Sequence, residues 1–387
     1  MKVAENSTPY WRLSSFYFFY FASLGALLPY WSLYLKDIGF SAREISELMA
    51  LVLLTKIISP NLWAWIADHT GQRMLIVRIG SVLAAIIFSG VFFTTDYWLI
   101  ASIMLLFSFF WNAALPQFEV TTLQHLDSQT HRYSSIRLWG SVGFIIAVAS
   151  LGFILQYYSL SFLPISIFIF LLGIFLMSCI VPERAAAHLS ISHYRLKQIL
   201  LRPEVLALII VCFLSQASHG AYYTFYTLYM ESYGYSRIII GQLWALGVVV
   251  EVLVFLVMHR LVPRFGLRNL FLVVFILTTF RWILTAMFAD NIAIMLFSQV
   301  MHAASFGIFH AVAIQLFHQH FTGKHAGKGQ AIYSSVSFGA GGAFGTYISG
   351  ILWESVSPES SFAVAAGMSG LAFLLVYRWI YGQISRV

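Results

Sequence analysis

Asp68-His69-Thr70-Gly71-Gln72-Arg73 separates two apolar runs, 45–67 and 74–94. Each run is about the 20 residues needed to cross a hydrocarbon layer as a helix. Glycine inside the polar hexad permits a tight reversal between them. The pattern returns as Pro263-Arg264-Phe265-Gly266-Leu267-Arg268 between the runs 238–261 and 267–288. Gly71 to Gly266 and Arg73 to Arg268 are both 195 residues apart, half of a 387-residue chain, although Pro263 replaces the acid. A second echo pairs Leu138-Trp139-Gly140-Ser141-Val142 with Ile332-Tyr333-Ser334-Ser335-Val336 at an offset of 194. Such spacing predicts a chain built as two similar halves.

The surrounding composition fits. Hydrophobic residues make up 60% and charged residues 10%, against about 25% charged in soluble domains. Mean hydropathy is +0.81. These values exclude a soluble enzyme, a disordered chain and a disulfide scaffold, and leave an integral membrane protein. Twelve segments read as spans: 10–35, 45–67, 74–94, 97–123, 135–157, 160–181, 204–230, 238–261, 267–288, 292–317, 328–353 and 361–381. None alternates in polarity, so helices are expected rather than barrel strands. The first segment is too long for a cleaved signal and lacks a small-residue cleavage site. The longest internal polar stretch, 182–203, divides the spans six and six. The expected architecture is therefore an all-α membrane protein of twelve transmembrane helices in two six-helix pseudo-symmetric halves, 1–181 and 204–387, joined by a linker at 182–203. Cys179 and Cys212 lie inside apolar runs and read as packing residues.

The formal charge is +7. In a membrane protein this reflects cationic cytoplasmic loops and not a nucleic-acid partner. With both termini inside, Lys36, Arg43 and Arg237 fall outside, Lys56, Arg137 and Arg281 fall within spans, and the rest of the 22 basic residues face the cytoplasm.

Charges within spans carry the chemistry. Each costs about 2.5–3.5 kcal/mol at a helix centre on insertion scales, so it needs a partner or a wet cavity. Five qualify: Lys56, Glu119, Arg137, Glu251 and Arg281. Glu119 and Arg137 lie on consecutive spans and are expected to bind substrate, or else to lock the two helices together. The planar fork of Arg137 suits a carboxylate. Lys56 is expected to be a counter-ion for an anion. Glu251, Arg281 and His302 are expected to carry a proton, because burial and a nearby cation act oppositely on a carboxyl. His219 and His310 are weaker candidates for the same work. His318, His320 and His325 form one loose group, which falls short of the spaced boxes of a metal-dependent membrane enzyme. No metal, no cofactor and no enzymatic activity are therefore expected. No Walker motif is present, which argues against ATP drive.

The Asp68-x-x-Gly71-x-Arg73 loop and the two halves resemble the major facilitator superfamily over essentially the whole chain. Asn112-Ala113-x-x-Pro116-x-x-Glu119 followed by Arg137-Leu138-Trp139-Gly140-Ser141-Val142-Gly143 is similar to lactose permease and its relatives. In those, the residues matching Glu119 and Arg137 bind sugar. His219-x-Ala221-Tyr222-Tyr223, Gly234-Tyr235-Ser236, Leu243-Trp244-x-Leu246-Gly247, Glu251, Arg281-Trp282 and His302 with His310 resemble the phenylpropionate permease branch. That resemblance implies a proton-coupled symporter of an aromatic carboxylate, with a sugar or nucleoside symporter as the alternative reading and a transporter-like membrane sensor as the reading from another class. It also implies a site between the halves near mid-membrane, a bacterial inner-membrane location and a monomer whose partners are a small solute, a proton and lipid. Tyr30, Trp139, Trp244 and Tyr333 would line the cavity. Asp68, Gly71, Arg73, Gly266 and Arg268 would form gating loops. Ser305 stands where lactose permease has its proton-carrying glutamate.

Overall fold

A computed structural model describes residues 8–127, 129–184, 196–322 and 325–380. No strand occurs among the described residues. In hydrocarbon every backbone N–H and C=O must be satisfied within the segment, which leaves helices as the natural solution. Among the described residues eleven helices are long and apolar enough to span: α1 (Tyr10–Asp37), α2 (Ala42–Thr70), α3 (Arg73–Phe93), α4 (Tyr97–Leu126), α5 (Thr130–Tyr157), α6 (Phe162–Ile180), α7 (Pro203–Ser232), α8 (Arg237–Phe265), α9 (Leu267–Met287), α10 (Ile292–His320) and α12 (Pro358–Trp379). Between the last two lies α11, a continuous helical stretch over 326–355. Glycine and serine replace apolar bulk there, so composition alone undersells it. The linker contributes a short helix, Leu196–Leu200. The cationic positions Lys2, Arg195, Lys324 and Arg386 lie outside the described residues.

Most even-numbered helices start with a polar cap at the end away from the termini. Ser41 forms a capping box with Glu44 at the start of α2. Asp96, Ser236, Asn291 and Ser357 accept from first-turn amides of α4, α8, α10 and α12. Such caps satisfy donors that neither helix nor lipid can satisfy. Gly71 ends α2 in the left-handed region at φ +70°, as the sequence spacing predicts.

The halves repeat one detail of closure. Arg78 on α3 donates to the carbonyls of Ser178 and Val181 at the end of α6. Arg268 on α9 donates to those of Tyr377 and Ile380 at the end of α12. A cation at a helix C-terminus is favoured by the dipole and by unfilled carbonyls. Arg268 thus shares its job with Arg78 and not with Arg73, the residue 195 positions earlier.

Between the halves, α5 packs on α8, α2 on α11 and α1 on α7. Along α5–α8, Tyr30 donates to the Val148 carbonyl at 2.7 Å. Its hydroxyl occupies the space that a Cβ on Gly152 or Gly241 would need. Nearby, Arg237 donates to the Leu155 carbonyl at 2.6 Å and its amide to Gln156 at 2.8 Å. Glu231 holds the same guanidinium at 2.8 Å. Along α2–α11, the Arg43 amide donates to Glu354 at 2.9 Å and Asn61 to Ser335 at 3.1 Å.

Three departures from regular helix occur in the second half. α7 is interrupted at His219, between Pro203–Ser218 and Gly220–Ser232. α10 and α11 each carry a π-helical segment, Ala303–Ile308 and Ser335–Gly341. π segments inside α-helices are uncommon and collect at functional sites. Of the two cysteines, Cys212 is buried, but Cys179 is exposed and does not serve internal packing.

Candidate functional site

The first-half charges gather where α4 and α5 face α1. Arg137 Nε lies 3.9 Å from Glu119 Oε1, with about a third of each side chain exposed (31% and 34%). Tyr133 donates to the same carboxylate oxygen at 3.3 Å. The guanidinium lies over the Phe21 ring, 3.8 Å from its centroid, and 5.6 Å from that of Tyr17. Gly140 makes this possible, since a Cβ there would strike both Arg137 and Phe21. The pair is loose, so Arg137 keeps donors for a third party.

Lys56 occupies the middle of α2, beside the seam with α11, where the neighbouring Ile57 meets Gly339. Thr55 next to it bonds Ser108 and Asn112 on α4 at 3.1 and 2.9 Å, which fixes that side of the helix. Lys56 itself has no hydrogen bond and no acidic partner among the described residues.

In the second half, Arg281 is fully buried at 0% exposure. It donates to the Ser298 carbonyl at 3.1 Å, to Ser305 Oγ at 2.9 Å and to Gln299 Oε1 at 3.5 Å. The aromatic faces of Tyr222 and Trp282 lie 4.4 and 4.3 Å from it. Cation–π contacts of this kind contribute about 0.5–2 kcal/mol each as desolvation increases. Tyr222 donates to Gln299 at 3.0 Å. Ser305 therefore gives Arg281 a neutral partner at the place where a carboxylate would pair with it. Glu251 contacts His302 instead, at 3.8 Å. The expected trio is thus an open chain: Arg281 forms no ion pair with Glu251 among the described residues, and its field acts on His302. His219, at the break in α7, bonds the Ser215 carbonyl through Nδ1 at 2.8 Å and leaves buried Nε2 without a partner.

The expected cavity aromatics are placed in different ways. Tyr30 serves the α5–α8 seam. Trp244 is buried, donates to Thr227 at 3.1 Å and packs tilted against Tyr222 at 4.3 Å between centroids. Tyr333 is buried and its hydroxyl lies 2.8 Å from His310 Nδ1. Trp139 turns to the start of α1, where it donates to Tyr10 at 3.1 Å and meets exposed Trp11. In the loop after α2, Asp68 pairs with Arg73, which also donates to Gln117 at 2.6 Å. Glu183, just past α6, accepts from the Met74 amide at 3.0 Å and so caps the start of α3. Gly266 turns the chain at φ +74°.

Sequence reasoning passed over Gln299, Tyr133 and the two π segments. Gln299 lies three residues before His302, on the same helical face, a spacing that marks it in hindsight. Nothing local marks the π turns.

A twelve-helix bundle in two halves, with mid-span charges beside the seams between them, defines a multi-pass membrane transporter and not an enzyme. The chain belongs to the MFS_1 like family, which matches residues 10–364. It is 29% identical to the probable 3-phenylpropionic acid transporter of Escherichia coli (strain K12), covering 87% of this chain and 89% of that one. It is 25% identical to the maltose permease of Geobacillus stearothermophilus, covering 93% of each. Among solved structures it resembles a point mutant of the nucleoside transporter NupG, with TM-score 0.86 and 16% identity over 96% of this chain and 100% of that one. It also resembles a bacterial homolog of the human lysosomal transporter Spinster, with TM-score 0.70 and 12% identity over the whole of both chains.

Proposed function

We propose that the protein is a proton-coupled symporter of a small aromatic carboxylate, with phenylpropionate as the type substrate. It would work by alternating access of the halves 1–181 and 204–387 about the linker 182–203. The observation that carries the anion is Lys56, a mid-span cation with no acidic partner among the described residues. Of the five mid-span charges, three are cations and two are acids, so the core is one negative charge short even with both acids ionised. A substrate carboxylate supplies it, through Lys56 and the free donors of Arg137. The relative named as a probable 3-phenylpropionic acid transporter supports the same class. Glu251, His302 and Arg281 would bind and release the proton. Lys and Arg placement supports cytoplasmic termini, and the family resemblance supports a bacterial inner-membrane location and action as a monomer.

A neutral sugar or nucleoside is the second reading. Its support is the Glu119–Arg137 pair, which offers both donors and acceptors to hydroxyls. The third, a membrane sensor, predicts ligand binding without counterflow. Uptake of 3-phenylpropionate into proteoliposomes by Lys56→Gln separates these readings. Loss of one charge-assisted hydrogen bond, about 1.5–3 kcal/mol, should weaken apparent affinity about 10- to 100-fold. Unchanged affinity for the acid would remove the anion reading.

A further inference from the structure

Resting on the proton-coupling reading, we propose that Phe306 and Phe338 form an apolar gate that separates the Glu251–His302 proton site from an exit relay made of His310 and Tyr333. Three observations meet at this place. First, the imidazole of His302, the ring of Phe306 and the imidazole of His310 stack along one face of α10. Their planes lie within 10° and 4° of parallel, with centroid separations of 5.7 and 6.1 Å. An aromatic carbon face neither accepts nor donates a proton, so Phe306 interrupts the path between two groups that do. Second, Phe338 on α11 closes the same place from the other side, 6.2 Å from Phe306 and 6.1 Å from His310. Third, Phe306 and Phe338 each sit within one of the two π segments. A π turn is a local shift of backbone register where helices kink, so both halves of the gate are mounted at an irregular turn of their helix.

Beyond the gate the relay is in place. His310 Nδ1 lies 2.8 Å from the Tyr333 hydroxyl. Tyr333 lines a cavity of about 10 Å³ with Ile314, Phe317, His318 and Gln330. That is about the room of one water, and the two polar side chains can hold it. The cavity lies toward the end of the bundle where the termini emerge. On the near side, His302 Nδ1 is buried and has no hydrogen-bond partner. The charged and titratable groups facing the site are Arg281 on α9, His219, Tyr222, Tyr223 and Cys212 on α7, and Arg137 on α5.

The transfer balances. The Glu251 carboxylic acid loses its O–H proton to His302 Nε2, leaving a carboxylate, and His302 releases its Nδ1 proton. With the gate open, a short chain of admitted water carries that proton past the rings to His310 Nε2. His310 gives its Nδ1 proton to Tyr333, which yields its own hydroxyl proton to the cavity water. Each relay group ends neutral, and one proton has moved from Glu251 to the termini side. With the gate shut, no water bridges the rings and the transporter does not leak.

The test uses full-length protein in proteoliposomes with an internal pH dye and an imposed pH gradient, without substrate. Phe306→Ala should raise proton flux about tenfold or more over wild type, because a hydrophobic constriction holds back water and ions until it is widened. Phe306→Leu, which keeps the plug apolar and bulky, should stay tight. Adding His310→Phe to Phe306→Ala should return the flux to the wild-type level. A Phe306→Ala protein that is monodisperse, still accumulates substrate with the gradient and is as tight as wild type would overturn the gate alone. A wild type whose accumulation ignores the proton gradient would overturn the coupling reading, and the gate with it.

Discussion

Arg281 shows how one side chain can be held in the membrane without a counter-charge. Its guanidinium uses a carbonyl, a hydroxyl and an amide oxygen as acceptors, and two aromatic faces cover its planes. A lysine keeps the charge but presents a compact ammonium that cannot serve this fork. Arg281→Lys should therefore lower the rate of coupled uptake about tenfold or more while leaving the protein folded, as read by initial rates beside size-exclusion profiles. Wild-type rates in that variant would reduce Arg281 to a generic positive charge. The identity of the mid-span charges was legible in the sequence, because lipid makes each of Lys56, Glu119, Arg137, Glu251 and Arg281 exceptional. Their pairing was not. Ser305 and Gln299 decide what Arg281 touches, and both are ordinary residues whose meaning depends on which helix turns toward them. Trp139 was placed by analogy in the cavity, yet one hydrogen bond to Tyr10 is enough to turn it to the α1 seam.

At the scale of elements, the periodic apolar runs gave the spans to within a turn or two, and the polar hexads gave the turns between α2 and α3 and between α8 and α9. The irregular places were hidden. A π segment or a mid-helix break depends on a shift of one hydrogen-bond register, which the neighbouring helix selects and local composition does not. α11 illustrates both sides. Its glycines announce close approach, and Gly345 meets the backbone of Ala217 and of Gly220 on α7 with no room for a Cβ. That contact joins α11 to α7 on both sides of the His219 break. Gly345→Leu should force the two helices apart, with a cost of several kcal/mol from overpacked backbone. The expected result is a marked fall in thermal stability in detergent, or loss of folded protein. Melting behaviour equal to wild type would show that the α7–α11 seam is looser than the structure describes.

At the scale of the molecule, the repeat seen as an offset of 195 residues becomes two bundles whose arginines, Arg78 and Arg268, close the third helix onto the sixth in the same way. The halves then divide labour. On the proposed reading the first would present Lys56 and Arg137 to an anion, and the second would hold Glu251, His302 and the relay beyond Phe306. Arg137 would link them, since its helix α5 packs on α8, which carries Glu251. A carboxylate bound at Arg137 would neutralise the cation on the helix that packs against the one carrying Glu251. On the proposed reading, coupling between solute and proton would follow from one shared cation. The most direct measurement is proton entry into wild-type proteoliposomes, followed with an internal pH dye, when 3-phenylpropionate is added outside. Protein-free vesicles correct for passive entry of the undissociated acid. The account predicts acidification above that control, saturable in the acid and shifted to about 10- to 100-fold higher acid concentration in Lys56→Gln. Acidification no greater than in empty vesicles, with uptake elicited instead by a neutral sugar or nucleoside, would contradict it.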